Sequence, residues 1–439
     1  MKWKKFLSSE YLGKIFSCSC GRKHAFPVNF IYVGDEGVKI LEKFIREEFS
    51  LFTIFLVCDL NTLKFAESIG NSLCKTKIFL FEDTKPLPTI ENAKRLLDVF
   101  DQNTLPVAVG SGTITDLVRF ASFKKKIPFI SYPTAPSMNG YTSSISALLV
   151  EGLKTTLPAS PPCAIIADLS VISSAPLIML KAGLGDLLSR FVAAGDWVIS
   201  GEIREEYFCP FVLHMMEGFE ETIREIAKDF SQKKPEKIKL LMELLLVSGL
   251  VMTASGSSRP LSGAEHLISH YWDMTLPPEN WSLHGLQVSV GTWVISYLWE
   301  KFFSLKKNEI APILEKEEEW REIVRGHFKS LGKKVEEEYF KKWRSLREQE
   351  EEIKKIKENL EKIKIKTRKE TKTPPELENF YSSASLPRRA EELGKEREEL
   401  KNAMLFARYI RNRYTILDLL HSLGLLENYI FELFKGGKV

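Results

Sequence analysis

Between residues 28 and 168 the chain alternates short apolar runs with amphipathic stretches, and this rhythm restricts its fold more than anything else in the sequence. Leu51 to Cys58, Lys77 to Phe81, Pro106 to Val109, Ile127 to Tyr132 and Ala164 to Ala167 each read as a strand. Strands separated by helical stretches need crossover connections, which gives a parallel sheet with helices on both faces. One hairpin is expected as well, over Ser143 to Thr156 with Glu151-Gly152 at its turn. From about residue 170 the strand signals stop and helical periods take over. The expectation is an α/β Rossmann-like domain over residues 1–169 and an all-α domain over 170–439, with a charged helical insertion at about 305–400.

Bulk properties bound the function. A length of 439 residues suits two domains, and 44% hydrophobic residues are ample for their cores. A net charge of +4 with 27% charged residues is too balanced for a nucleic-acid binder. Leu240 to Met252 is the most apolar helical run but is short for a membrane span, and Met1-Lys2-Trp3-Lys4-Lys5 lacks the apolar core of a secretion signal. Six cysteines at this length read as reduced thiols of a cytoplasmic protein. Cys18, Cys20 and His24 resemble part of a zinc site, but C-x-C-x-x-x-H shows no evident fourth ligand. In the segment 314–372, Ile353, Ile356, Leu360 and Ile363 follow helical spacing over less than two heptads, which predicts a helix packed on its own domain or on a second copy. Pro374-Pro375 marks the break after it.

Three segments carry chemistry. In the first, Ser257 to His270 followed by His284-Gly285, three of the seven histidines fall within nineteen residues. His266 and His270 share a helical face at i,i+4 and His284 arrives from a following segment. A pair of hydrogen-bonded core histidines has the same spacing; Asp186 in Gly183-Leu184-Gly185-Asp186 adds a carboxylate that, with two imidazoles, leaves a divalent ion an open position. In the second segment, the strand ending at Val109 runs into Gly110-Ser111-Gly112-Thr113-Ile114-Thr115-Asp116 and a helix, so backbone N–H groups face an anion. It departs from G-x-G-x-x-G, and a plain strand-to-helix turn has the same form. The third, Pro133 to Ser144, crowds hydroxyls and an amide just past a strand's carboxyl end, where open α/β sheets bind ligands.

The order of these motifs resembles the glycerol-1-phosphate dehydrogenase family, in its bacterial branch, within the iron-type alcohol dehydrogenase and dehydroquinate synthase superfamily. The resemblance rests on G-x-G-T-I-x-D, P-T-A-P-S, A-G-L-G-D, S-R-P-x-S-G-A-E-H-x-x-S-H and H-G-x-Q-V, and extends to Cys18–His24, Asp59-Leu60-Asn61-Thr62 and Arg413–Asp418. It implies a dehydroquinate synthase-like fold with NAD(P) on the α/β domain and one divalent metal, zinc or else nickel or iron, on the helical one. The metal ligands would be Asp186, His266 and His284. His270 and Asp186 would meet the substrate. Gly112, Thr113, Ile114, Thr115 and Asp116 would hold the cofactor pyrophosphate, with Thr134, Ser137 and Ser143 on the nicotinamide side and Asp59 on the adenosine ribose. Asn139 stands where the family usually has an aspartate, keeping a hydrogen-bonding group but no charge. Arg259 is the candidate for a substrate phosphate.

The implied reaction is reversible hydride transfer from NAD(P)H to dihydroxyacetone phosphate, giving sn-glycerol 1-phosphate, with the metal polarising the ketone and His270 supplying the proton. A homodimer without nucleic-acid or membrane partners is expected. Glycerol dehydrogenase and dehydroquinate synthase chemistry use the same scaffold, and the loss of charge at Asn139 leaves a non-catalytic nucleotide- or metal-binding protein as the reading of a different class.

Overall fold

The computed structural model describes residues 1–437; the last two residues of the expected helical domain, 438 and 439, lie outside the described residues. Among the described residues ten strands occur, in order β1 (Lys14–Ser17), β2 (Lys23–Phe26), β3 (Phe30–Gly34), β4 (Thr53–Asp59), β5 (Thr76–Phe81), β6 (Thr104–Gly110), β7 (Ile130–Pro133), β8 (Ile145–Val150), β9 (Leu153–Pro158) and β10 (Ala164–Asp168). Six form one parallel sheet in the order β3-β10-β7-β6-β4-β5. The sheet is the one that the alternating rhythm predicts. Its side chains obey the period of two: Ile54, Leu56 and Cys58 of β4 and Leu105, Val107 and Val109 of β6 pack into one apolar layer, while Val57 and Ala108 pack into the other. Every residue of β6 is buried, as expected of a central parallel strand.

β8 and β9 form the expected hairpin, with Glu151 and Gly152 at φ 50 and 82 in its turn. The hairpin β1–β2 and the sheet strand β3 are not among the sequence expectations. Four-residue strands give too little alternation to register, and β3 is only half-buried.

Strand signals end at Asp168, but compactness follows a different boundary. One compact unit comprises Met1–Leu187 and Pro210–Ser258; the other comprises Leu188–Cys209 and everything described from Arg259 onward. The first therefore keeps the long helix Pro235–Ser255, which packs on β2 and on the amino-terminal turn Lys2–Leu7. That helix is long and apolar enough to cross a membrane, yet 83% of its most apolar window is buried inside the protein, as in a core helix. Of the two units the second is all helical. Within it the charged stretch folds as the helices Glu317–Phe328, Gly332–Phe340 and Leu346–Arg368, and the last, capped by Ser345, buries Ile353, Ile356, Leu360 and Ile363 and packs on the helix Arg190–Arg204. Pro374 and Pro375 open the next helix, where Thr373 and Glu376 form its capping box.

Candidate active site

The sheet reverses its winding between β4 and β6: β5 lies to one side of β4, and β6, β7 and β10 follow on the other. Ligands of open α/β sheets bind beyond the carboxyl ends of strands at such a point. Asp59 ends β4 there, and Gly110 ends β6 and leads into the helix Gly112–Lys125. Gly110 is required by space, since a Cβ there would come within 2.7 Å of the Ile114 Cβ; one on Gly112 would meet the flexible Met138 side chain, its sulfur at 2.9 Å. Ile114 and Thr115 turn their side chains inward and are buried, so this turn offers a ligand chiefly its backbone N–H groups. Asp59 accepts from the Thr62 N–H (3.0 Å) and hydroxyl (2.9 Å) through one carboxylate oxygen, Oδ1.

Asp116 pairs with Arg119, a fully buried residue that the sequence does not single out. Arg119 also donates to the carbonyls of Gly140 (2.6 Å), Tyr141 (2.9 Å) and Ile145 (3.1 Å), fixing the hydroxyl-rich loop from beneath. Burial pushes the Asp116 carboxyl up, against the pull of Arg119. In the loop, the Thr134 N–H donates to the Gly110 carbonyl (3.2 Å), Ser137 bonds to Tyr141 (3.3 Å), and the Ser143 hydroxyl accepts from the Ile145 N–H (3.2 Å).

Asn139 belongs to the same loop and grips Asp186 twice, donating its backbone N–H (2.7 Å) and its side-chain amide (3.3 Å) to the two carboxylate oxygens. Asp186 is fully buried on the helix Leu177–Leu188. Gly183 lets that helix meet the loop, since a Cβ there would stand 1.9 Å from the Pro136 carbonyl oxygen. The G-L-G-D signature is thus a packing requirement as well as a source of the carboxylate.

The histidines sit on two packed helices, Ala264–Thr275 and His284–Ser304. Their approach depends on Gly291, where a Cβ would meet the Glu265 carbonyl oxygen at 2.5 Å. The ring centroids of His266 and His284 are 5.1 Å apart, and His270 lies 6.2 and 5.8 Å from them. His266 Nδ1 bonds to the buried Glu265 carboxylate (2.7 Å) and His284 Nδ1 to the Ser269 hydroxyl (3.0 Å). Each ring is therefore oriented through Nδ1, the usual arrangement behind metal-binding histidines. His266 and His284 thus form a pair of imidazoles on one compact unit that suits a divalent ion, and Asp186 is a buried carboxylate of the other unit. Sequence reasoning missed Glu265 and Ser269, although both lie inside the motif that drew attention to the histidines.

Arg259 is 13% exposed, pairs with Glu206 and donates to the Tyr414 carbonyl (3.1 Å). It stands close enough to Arg413 to act on it. Burial, then the guanidiniums of Arg259 and Arg411, push Arg413 down to about 9. Arginine does not surrender its proton in proteins, and Arg413 donates to the Ser262 carbonyl and to its hydroxyl (2.8 Å). Among the described residues, Nη2 of Arg411 is buried without a hydrogen-bond partner.

Residues 32–176 match the family model for iron-containing alcohol dehydrogenase. Glycerol-1-phosphate dehydrogenase [NAD(P)+] of Geobacillus stearothermophilus is 32% identical over 305 residues, 67% of this chain and 75% of that protein. The chain belongs to the glycerol-1-phosphate dehydrogenase family. The Bacillus licheniformis member is 29% identical over 428 residues, 93% of each chain, so the family likeness extends through the charged helices. The fold is shared more widely: maleylacetate reductase from a Rhizobium strain superposes with a TM-score of 0.59 at 15% identity, over 94% of this chain and 98% of that one.

Proposed function

We propose that the protein is a metal-dependent NAD(P) oxidoreductase that reduces dihydroxyacetone phosphate reversibly to sn-glycerol 1-phosphate. The observation that carries this reading is the pair His266 and His284, ring centroids 5.1 Å apart and each oriented through Nδ1, in a chain of this family; Asp186 is the third ligand we propose. Two imidazoles and a carboxylate suit zinc, nickel or iron, and zinc is our assignment. When bound, the ion acts as a Lewis acid on the substrate's ketone oxygen.

The chain's own residues do the rest. Asn139 holds Asp186, Glu265 holds His266 and Ser269 holds His284, so the ligands are preorganised. His270, beside both histidines, delivers a proton to the oxygen that becomes the alcohol. The Gly110–Asp116 turn takes the cofactor pyrophosphate on its N–H groups, and Thr134, Ser137 and Ser143 line the nicotinamide end. Asp59, with Oδ1 on Thr62, turns Oδ2 to the adenosine ribose and disfavours a 2′-phosphate, so NADH is preferred. Arg259 and Arg413 receive the substrate phosphate, which compensates their crowded charges. Cytoplasmic residence and a homodimer complete the reading.

Oxidation of NADH and NADPH with dihydroxyacetone phosphate, dihydroxyacetone or no substrate, across added zinc, nickel and iron, tests it. The expected result is metal-dependent turnover of the phosphorylated ketone, faster with NADH. Equal turnover of the two ketones points to a glycerol dehydrogenase, and no turnover with any metal sinks the assignment.

A further inference from the structure

A second set of metal-ligating side chains involves none of the residues of the histidine helices. β1 and β2 form a hairpin whose turn is closed by Cys18 N–H to Arg22 O (2.9 Å) and Gly21 N–H to Cys18 O (3.0 Å), with Gly21 at φ +83. That turn carries Cys18 and Cys20, and His24 follows on β2. Cys209 immediately precedes the short helix Pro210–His214. From that helix Phe211 stacks on His24 (centroids 5.6 Å, 28°) and meets Phe16 edge-on (5.1 Å), which brings residue 209 to the hairpin. Cys18, Cys20, His24 and Cys209 each offer one ligand atom, all within 4.8 Å of one another. The fourth ligand that the amino-terminal motif lacks comes from far along the chain.

The histidine is set for coordination. His24 is buried, and its Nδ1 lies 2.6 Å from the Ala254 carbonyl oxygen. A carbonyl only accepts, so Nδ1 carries the proton and Nε2 presents its lone pair. Nε2 is 3.5 Å from the Cys20 sulfur. In a tetrahedral site, zinc bonds of about 2.0–2.1 Å to nitrogen and about 2.3 Å to sulfur separate the two ligand atoms by about 3.6 Å.

We propose that Cys18, Cys20, His24 and Cys209 form a structural zinc site. Three thiolates and one imidazole complete a tetrahedron with no open position, and soft sulfur ligands select zinc over magnesium or manganese. The half-buried Cys18 and Cys20 give the ion a route in, while the buried Cys209 and His24 close it off. The site supplies what the hairpin lacks, because a pair of four-residue strands is not stable by itself. It staples the hairpin to the Pro210–His214 helix and, through the Ala254 bond, to the end of the Pro235–Ser255 helix that leads into the Ser257-Ser258-Arg259 segment.

Full-length protein produced with cobalt in place of zinc tests the proposal, because only a thiolate site gives intense sulfur-to-cobalt charge-transfer absorption in the near ultraviolet. That absorption is expected in the wild type, retained in His284→Ala and absent from the double variant Cys18→Ser, Cys20→Ser. By elemental analysis the zinc-grown double variant should carry one zinc per chain fewer than the wild type. Wild-type protein without the charge-transfer absorption, equal zinc in wild type and double variant, or a native Cys18–Cys20 disulfide found by mass spectrometry would each overturn it. The first and last measurements need no variant to fold.

Discussion

His266 and His284 each commit one ring nitrogen to a fixed partner, which makes the partners testable apart from the ligands. Ser269→Ala should weaken metal binding about 10- to 100-fold while leaving the fold intact, as losses behind a metal ligand do. Titration of the stripped protein with zinc measures this, and an unchanged affinity would reduce Ser269 to a packing role. His284→Ala should lose one metal per chain and turnover together, with its circular dichroism and its thiolate-site zinc preserved; a metal content equal to that of the wild type removes His284 from the site. Arg259 crowds its charge against that of Arg413. Arg259→Ala should cost about 1.5–3 kcal/mol, about one to two decades in kcat/KM, on dihydroxyacetone phosphate and little on dihydroxyacetone. Equal losses on both would show that its bonds to Glu206 and Tyr414 are its whole contribution.

Between elements, close approach decides the geometry. Gly291→Ala would press a methyl group onto the Glu265 carbonyl, which stands 2.5 Å from the position of a Cβ, and so wedge the two histidine helices apart. Overpacking of this kind costs about 1–3 kcal/mol. Zinc affinity should fall along with Tm, and a variant that loses stability but keeps its affinity would show that the helices can separate without moving the rings. A buried ionic network ties the carboxyl-terminal helices together: Glu315 pairs with Arg408, and Tyr339 bonds to both. Burial alone would raise the Glu315 carboxyl, but Arg408 and His421 hold it well below its ordinary 4.5. A depressed carboxylate stabilises the fold at neutral pH and loses that contribution as pH falls below about 4.5. Glu315→Gln strands the Arg408 charge and should cost about 3–5 kcal/mol near neutrality, with the gap to wild type narrowing in acid. A gap in denaturation midpoint that is constant from pH 7 to pH 3 would contradict this.

On the scale of the molecule, a metal held by side chains distant in sequence couples loading to stability. At a free concentration one hundred times its dissociation constant, such a ligand adds about 2.7 kcal/mol. Protein stripped of the histidine-site metal alone should therefore melt lower than loaded protein and recover on adding zinc, while His284→Ala with its thiolate-site zinc in place should not respond; calorimetry with and without metal decides. The sequence by itself determined the parallel sheet, the hairpin at Glu151-Gly152 and the grouping of His266, His270 and His284, because period-two burial, crossover spacing and i,i+4 placement are local in the chain. It did not reveal β1 to β3, which are too short or too exposed to alternate clearly. Nor did it reveal what surrounds the ligands. Arg119 beneath the hydroxyl-rich loop, Asn139 on Asp186, Glu265 and Ser269 behind the histidines, and Cys209 beside Cys20 gain their significance from packing. Residue type and spacing nominate a donor, but which of its atoms is already bonded, and which is left for an ion, is decided only when segments far apart in the chain are brought together.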